Sequence, residues 1–438
     1  MDKFWYRLDN AAMIFPPVSG KNTPNTFCLF AELNKKIDKD ILQKSLNQVL
    51  ESEDTFRVRL KKGIFWNYLE ENLKTLEVQE EPPDFMEYID SRYDNNYLMR
   101  VYYYENRITC VFFHVLTDGT GGLYFLKQLV YTYLESTGEK IKTEGKVKPI
   151  EIPTLDGEKQ DKFLNIKTKE TEKKIAENKA FKLSGTPFKV FGTGIIVGKC
   201  KTDEVKKLAK QFDTTVTGYL SGVYLYSLYL AYLKDKNQKN NLIAISIPVN
   251  IRKQHPSETK RNFTLVARIC YDFSNGATLE EVVSSASKQL KEKLTKKQID
   301  SQIKFNVGAE KNWIMKIVPR FIKNIALKIA YKIRCVNEET TNLSNLGLVE
   351  LPKDLEKHIE SMGFVLQASK TTQKNLGVVG FKDELVMSFS RRHAETVAEK
   401  EFFRILSHGG VEVTVSSNNW EVRKWNFVKI AQSKLTQI

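Results

Sequence analysis

The stretch RITCVFFHVLTDGTGG, residues 107–122, combines an apolar run, a histidine, an aspartate and a glycine-rich turn. Residues 107–113 are predicted to form a buried strand, because apolar side chains dominate there. His114 ends this strand, so the sheet would hold its backbone while the ring projects into the space beyond. Imidazole titrates closer to neutral pH than any other side chain, and His114 is therefore a candidate general base.

Asp118 follows one turn later, where the chain must bend sharply through glycines. Such a carboxylate can hold the loop by pairing with a cation elsewhere, without touching a substrate. A second interpretation stays open, in which His114 is buried at a strand end and Asp118 only caps the next helix. One histidine and one aspartate supply at most two metal ligands, so we expect no metal site. The G-x-S-x-G elbow, the phosphate loop and the dinucleotide fingerprint are all absent from the sequence.

The composition limits the class of protein. The chain has 438 residues and a net charge of +15, and its content is 41% hydrophobic and 28% charged. This excludes a disordered chain, and the length favours two or more domains. The positive charge suits nucleic acid, an anionic membrane surface or a phosphate-bearing ligand. Basic and aromatic residues do not interleave as in single-strand binders, so we expect no nucleic-acid partner.

The five cysteines are scattered and form no C-x-x-C pair, which argues against a disulfide framework and favours a reducing compartment. The first fifteen residues show no secretory signal, and no uncharged apolar run is long enough to span a membrane. We therefore predict a cytoplasmic protein.

A change in composition predicts the domain organisation. Residues 139–180 are rich in lysine and glutamate, and we interpret them as a connector with a helix at Thr168–Ala180. The connector would belong to an N-terminal lobe, residues 1–180, and precede a C-terminal lobe, residues 181–438. Both halves mix strand-like and helix-like segments, which indicates an α/β fold and hints at a duplicated unit.

Residues 313–334 predict an amphipathic helix with a basic face, which Pro319 would kink or begin. Such a helix could lie on an anionic membrane, giving peripheral contact, or pack its apolar stripe into the core with the basic face in solvent. The predicted stripe comprises Ile314, Ile317, Val318, Phe321, Ile322, Ile325, Ile329 and Ile333.

The segment HVLTDG, His114–Gly119, resembles the HxxxDG motif of the chloramphenicol-acetyltransferase-like acyltransferases. That superfamily includes alcohol acetyltransferases, condensation domains, wax-ester synthases and polyketide-associated acyltransferases. HxxxDG is the specific element, and shorter segments are similar to superfamily landmarks in the same order: Glu53–Leu60 (EDTFRVRL), Pro248–Arg252 (PVNIR), Arg261–Arg268 (RNFTLVAR) and Ser344–Gly347 (SNLG).

The resemblance implies an α/β fold of two similar lobes, each a mixed sheet with flanking helices, and a tunnel between them that contains His114. It implies that His114 removes a proton from an alcohol, amine or thiol that then attacks a thioester. Asp118 would be mainly structural and pair with an arginine. We expect Arg57 in that role, with Arg252 as the alternative, and Gly119 would let the backbone turn tightly.

The same resemblance predicts the ligands. The acyl donor would be a coenzyme A thioester, or phosphopantetheine on an acyl carrier protein as a partner, with a small-molecule acceptor and no metal. A basic surface suits either donor. Donors for the oxyanion could come from Ser344, Asn345 or Ser246.

The sequence departs from the superfamily pattern in two places. Condensation domains commonly have a second histidine before the first, and here that position is Phe113. The plant-type DFGWG motif is also missing. These departures favour a stand-alone acyltransferase, and an O-acyltransferase over an N-acyltransferase. Two alternatives stay open: a degenerate member that binds an acyl ligand or a partner without turnover, and a stand-alone condensation-type domain that forms amides.

Overall fold

A computed structural model describes residues 4–90, 92–152, 154–166, 178–188, 192–234, 238–311 and 317–418. The predicted helix at Thr168–Ala180 lies almost entirely outside these residues. The strands are β1 Trp5–Arg7, β2 Thr26–Leu33, β3 Val58–Lys62, β4 Asn67–Glu71, β5 Val78–Glu80, β6 Met99–Tyr104, β7 Arg107–Phe113, β8 Gly194–Lys201, β9 Leu242–Asn250, β10 Thr264–Asp272, β11 Thr341–Val349, β12 Ile359–Leu366, β13 Lys374–Phe381, β14 Glu384–Arg391 and β15 Thr414–Ser417.

Helices flank these strands. The α-helices are α1 Phe15–Val18, α2 Lys39–Ser52, α3 Gly119–Ser136, α4 Asp156–Lys159, α5 Thr202–Gln211, α6 Val216–Tyr232, α7 Leu279–Lys293, α8 Lys296–Lys311, α9 Arg320–Tyr331, α10 Lys353–Glu356 and α11 Val397–His408. The described residues also include two 3-10 turns, Ala12–Ile14 and Phe163–Asn165, and a π-helical turn, Lys332–Val336.

The first lobe is built on a five-stranded mixed sheet with the order β12-β2-β7-β6-β5. Strands β2 and β7 are almost wholly buried, because α2 and α3 pack together and α3 covers both strands. The hairpin between β6 and β7 turns at the dipeptide Glu105-Asn106, where Glu105 has a φ of 50°. The strand-like runs on either side of this dipeptide predict the turn.

Strand β12 crosses from the second half of the chain to the first sheet. It comes from the second half of the chain but pairs antiparallel with β2, at the edge of the first sheet. Residues 181–438 are therefore not a self-contained lobe, since β12 contributes Met362 and Phe364 to the first hydrophobic core.

The second lobe contains a seven-stranded mixed sheet with the order β10-β9-β11-β13-β14-β8-β15. Helices α6, α7 and α11 pack together, and α7 packs on β10. Their apolar faces and the buried side of the sheet form a second core. The two-lobed α/β architecture is thus confirmed, whereas the tunnel between the lobes stays a prediction.

Local signals in the sequence locate most elements near the site. Asp38 caps α2, since its side chain accepts hydrogen bonds from the Asp40 and Ile41 amides. The apolar pattern predicts a strand at residues 56–60, but β3 begins two residues later, at Val58. Among the described residues, no helix is both long enough and apolar enough to cross a membrane.

Candidate active site

His114 lies immediately after β7, in the turn that leads to α3. Its ring stacks on Phe15 from α1, with centroids 4.9 Å apart, and lies 5.0 Å from the ring of Phe27 on β2. The residue nevertheless keeps partial access to solvent. Two aromatic rings therefore hold the imidazole in place while part of the residue remains accessible.

Asn262 decides which ring nitrogen of His114 carries the proton. Its Oδ1 lies 3.1 Å from His114 Nδ1, and its Nδ2 donates to the His114 carbonyl at 2.9 Å and to Asp9 Oδ2 at 3.2 Å. With the amide nitrogen committed to two acceptors, the amide oxygen faces the ring and can only accept. Nδ1 is therefore the protonated nitrogen, and the lone pair of Nε2 is free to take a proton.

Asn262 contacts a buried ion pair formed by Asp9 and Arg261. Asp9 is fully buried, accepts the Ala12 amide at 2.7 Å and lies 3.3 Å from Arg261 Nη2. Arg261, which is also buried, places its guanidinium 5.0 Å from the ring centre of Tyr6. The orientation of Asn262 is thus set by the carboxyl group of Asp9, which is buried and cannot rotate into solvent.

Burial lowers the pKa of His114 below its usual 6.5, because the charged ring would lose hydration. The hydrogen bond to Asn262 and the negative charges of Asp118 and Asp9 oppose this effect without cancelling it. The imidazole is therefore neutral at physiological pH, which is the form that a general base requires.

Asp118 joins the two halves of the chain at this site. Its Oδ2 accepts from Arg252 Nη1 and from the Phe263 amide, both at 2.8 Å. Its Oδ1 accepts from the Gly121 amide at 3.0 Å and from Arg252 Nη2 at 3.3 Å. Four donors occupy a carboxylate that is only 1% exposed, so Asp118 both caps α3 and anchors the loop between β9 and β10.

The expected pairing of Asp118 with Arg57 is wrong. Arg57 lies at the start of the β3 hairpin and pairs with Glu71 at 3.0 Å and with Asp54 at 3.4 Å. Asp54 is three residues away in sequence and Glu71 lies across the hairpin, so the charge of Arg57 is paired without Asp118. Arg252, the alternative, occupies the position instead and also donates to the carbonyls of Thr259 and Arg261.

The tightest backbone approach is at Gly121, two residues after the glycine of the motif. A Cβ atom at Gly121 would lie 2.0 Å from both the Lys260 carbonyl oxygen and the Thr117 hydroxyl. A Cβ atom at Gly119 would meet only the end of the Leu346 side chain, at 2.7 Å, and that side chain can move. Of the two glycines, Gly121 is therefore the one at which a side chain cannot be accommodated.

The three predicted oxyanion donors have other surroundings. Asn345 donates to the Thr217 hydroxyl at 3.0 Å and accepts from the Gly347 amide at 2.8 Å, so its amide is engaged within its own lobe. Ser246 is buried on β9, opposite Arg268. Ser344 is buried on β11, two residues before Leu346. Their role at an oxyanion stays a prediction.

The structure adds residues that the sequence did not single out. Asn262, Asp9 and Phe15 all contact the imidazole or orient it. Asn262 lies inside the RNFTLVAR segment, whose place in the chain was the only signal for it. Within the described ranges, no cluster of three or more histidine, cysteine, aspartate or glutamate side chains could hold a metal ion.

A family model described as alcohol acetyltransferase matches residues 162–406, more than half of the chain. The chain belongs to the alcohol acetyltransferase family. The matched segment begins after Gly119, so the HxxxDG motif is a separate observation that agrees with this assignment. A search of curated protein sequences gives no significant match.

Several solved structures share the fold of this chain. F. graminearum TRI101, complexed with coenzyme A and T-2 mycotoxin, is 10% identical with a TM-score of 0.61, covering 92% of this chain and 97% of its own. The TRI3 trichothecene 15-O-acetyltransferase of Fusarium sporotrichioides is 11% identical with a TM-score of 0.57, covering 93% and 94%. The starter condensation domain of rhizomide synthetase RzmA, in complex with C8-CoA, is 11% identical with a TM-score of 0.57, covering 92% and 94%. At these identities the likeness establishes the fold of this family member.

Proposed function

We propose that this protein transfers an acyl group from an acyl-coenzyme A thioester to the hydroxyl group of an alcohol, with His114 as the general base. The observation that carries the proposal is the contact between Asn262 Oδ1 and His114 Nδ1. It keeps the proton on Nδ1 and leaves Nε2 as the acceptor.

The reaction follows from that arrangement. Nε2 takes the proton from the alcohol as its oxygen attacks the thioester carbonyl carbon, and a tetrahedral oxyanion forms. The carbon–sulfur bond then breaks, and the departing thiolate receives the proton from the imidazolium. The products are an ester and the free thiol of coenzyme A, and His114 returns to its starting form.

Asp118 acts as a positioning residue in this scheme. Both of its oxygens already accept two hydrogen bonds, and its partner Arg252 is nearly buried. A carboxylate held in this way is not available to exchange protons with a substrate. Its contribution is to hold the turn after His114 against the loop that carries Asn262.

An alcohol acceptor and a coenzyme A donor are favoured by separate observations. The chain belongs to a family described as alcohol acetyltransferase, which favours an alcohol acceptor. Condensation domains commonly have a second histidine at the position of Phe113, which is buried in this chain. The TRI101 complex contains coenzyme A, and the net charge of +15 suits a donor with phosphate groups.

The test is a thiol-release assay on the full chain. Acetyl-CoA and octanoyl-CoA would be offered with matched acceptors, 1-hexanol against hexylamine, and a second arm would replace acyl-CoA with acyl carrier protein. We expect release that depends on the alcohol, with hexylamine slower and acyl-CoA preferred. Release only with the amine, or only from the carrier protein, would contradict the corresponding part of the proposal. Acyl-CoA binding without turnover of any acceptor would support the degenerate alternative.

A further inference from the structure

Helix α9, Arg320–Tyr331, presents its apolar side to solvent. Phe321 is 65% exposed, Ile325 57% and Ile329 55%, although these residues form a continuous stripe at helical spacing. The stripe extends to Ile317 before the helix and to Ile333 after it, both more than half exposed. The alternative in which this stripe packs into the core is therefore wrong for these residues, and Ile314 of the predicted stripe lies outside the described residues.

The opposite side of α9 faces the protein and contains a lysine. Lys323 is only 3% exposed, with its ammonium 3.4 Å from the ring centre of Trp66 and 3.1 Å from the Phe65 carbonyl. Arg320 donates from its backbone and its side chain to the Ile64 and Gly63 carbonyls, both at 2.9 Å. The helix is thus fixed by cation–π and hydrogen-bond contacts while its apolar residues remain outside.

The turn between β3 and β4 extends this apolar surface. Because Arg320 and Lys323 bind its carbonyls, the turn lies beside the start of α9, and Ile64 at its tip is 79% exposed. Phe65 next to it is 43% exposed. We call this surface the apolar ridge, and its members are Ile64, Phe65, Ile317, Phe321, Ile322, Ile325, Ile329 and Ile333.

Basic residues border the apolar ridge and acidic residues are absent from it. Lys328 and Lys332 are exposed and follow Ile325 and Ile329 by three positions, so they flank the stripe along one side. The sequence from residue 317 to residue 337 contains no aspartate or glutamate. A second copy of this chain would bring like charges together, whereas an anionic bilayer complements both the apolar residues and the charges.

We propose that the apolar ridge binds the surface of an anionic phospholipid bilayer, with the side chains of α9 and Ile64 in the interface. The helix and the turn lie side by side, so their exposed apolar residues can enter the same lipid surface. Apolar insertion and attraction of the lysines to lipid phosphates would act together, as in other interfacial helices. Vesicle binding needs no substrate and does not depend on the acyl-transfer proposal.

The experiment is co-sedimentation of the full chain with phosphatidylcholine vesicles, with and without phosphatidylserine. We expect binding to the phosphatidylserine vesicles that weakens as salt is added, and little binding to phosphatidylcholine alone. The double variant Ile325→Glu/Ile329→Glu should lose at least about tenfold in partition coefficient, since charged groups replace inserted ones. Val397→Glu is the matched control, because Val397 is 47% exposed on α11, which packs on α6, and this variant should bind like the wild type.

A second variant distinguishes loss of lipid binding from misfolding of the glutamate variant. Lys328→Ala/Lys332→Ala leaves the apolar stripe intact and should weaken binding to phosphatidylserine vesicles about tenfold or more. Wild-type protein that stays in the supernatant with phosphatidylserine vesicles would overturn the proposal. So would a glutamate double variant that sediments like the wild type, or a vesicle-free dimer that this variant converts to a monomer.

Discussion

Asn262 Oδ1 lies 3.1 Å from His114 Nδ1, although 148 positions separate the two residues in the chain. One belongs to the turn after β7 in the first lobe and the other to the loop between β9 and β10. This contact therefore forms only when the two halves of the chain meet. The same loop supplies Arg252 to Asp118, so a single segment of the second half orients both polar residues of the motif.

Replacing Asn262 with alanine should lower kcat/KM about ten- to hundredfold, because Nδ1 loses the acceptor that keeps it protonated. The pKa of His114 should fall further, since the hydrogen bond to Asn262 raises it in the native protein. A pH profile of kcat/KM separates this effect from simple loss of structure. An acidic limb that does not move, together with unchanged kcat/KM, would contradict the assignment of Asn262.

The acidic limb of the wild-type profile should have its midpoint below 6.5, the usual pKa of histidine. Burial lowers the pKa of His114, so the neutral, active form persists as the pH falls through 6.5 and is lost only when the ring is protonated. Initial rates across pH 5 to 8 with saturating acyl-CoA would measure it. A midpoint above 6.5 would mean that nearby carboxylates outweigh burial.

Arg252→Ala and Arg57→Ala should differ in their effect on stability. Loss of Arg252 leaves buried Asp118 without its cation, which typically costs about 3–5 kcal/mol of unfolding free energy. Arg57 pairs at a partly exposed site, where a pair is worth about 0–1 kcal/mol. Urea unfolding of the two variants measures the difference. Equal losses would show that Asp118 does not depend on Arg252.

Gly121→Ala should destabilise the protein by about 1–3 kcal/mol or more, because its Cβ would overlap the Lys260 carbonyl oxygen. Gly119→Ala is the matched control in the same turn, where only the end of the Leu346 side chain must move. Thermal melting of both variants tests the pair. The close approach at Gly121 would be disproved if its variant melted at or above the temperature of the Gly119 variant.

The sequence was sufficient for features that depend on neighbouring residues. The apolar run before His114, the turn and the helix cap at Asp118 are local, and all three occur where the pattern predicts them. The cap at Asp38 is of the same kind. The resemblance of residues 114–119 to the HxxxDG motif indicated the superfamily that includes the alcohol acetyltransferases, and the family model matches a different segment, residues 162–406.

Features that depend on distant contacts were missed or misplaced. The choice between Arg57 and Arg252 needed the position of a loop 134 residues from Asp118. Asp9 reaches Asn262 across 253 positions, and no local pattern reports such a contact. The periodicity of α9 predicted the apolar stripe but not that the stripe faces solvent, because the orientation of the helix depends on the contact between Lys323 and Trp66.

The central claim is tested most directly by His114→Ala in the thiol-release assay with acyl-CoA and an alcohol. General-base removal typically costs about 10²- to 10⁴-fold, so we expect kcat/KM to fall by that factor, with partial recovery on adding imidazole. His408→Ala, at an exposed histidine on α11, should retain the wild-type rate. A His114→Ala protein that is folded and transfers acyl groups at the wild-type rate would contradict the account.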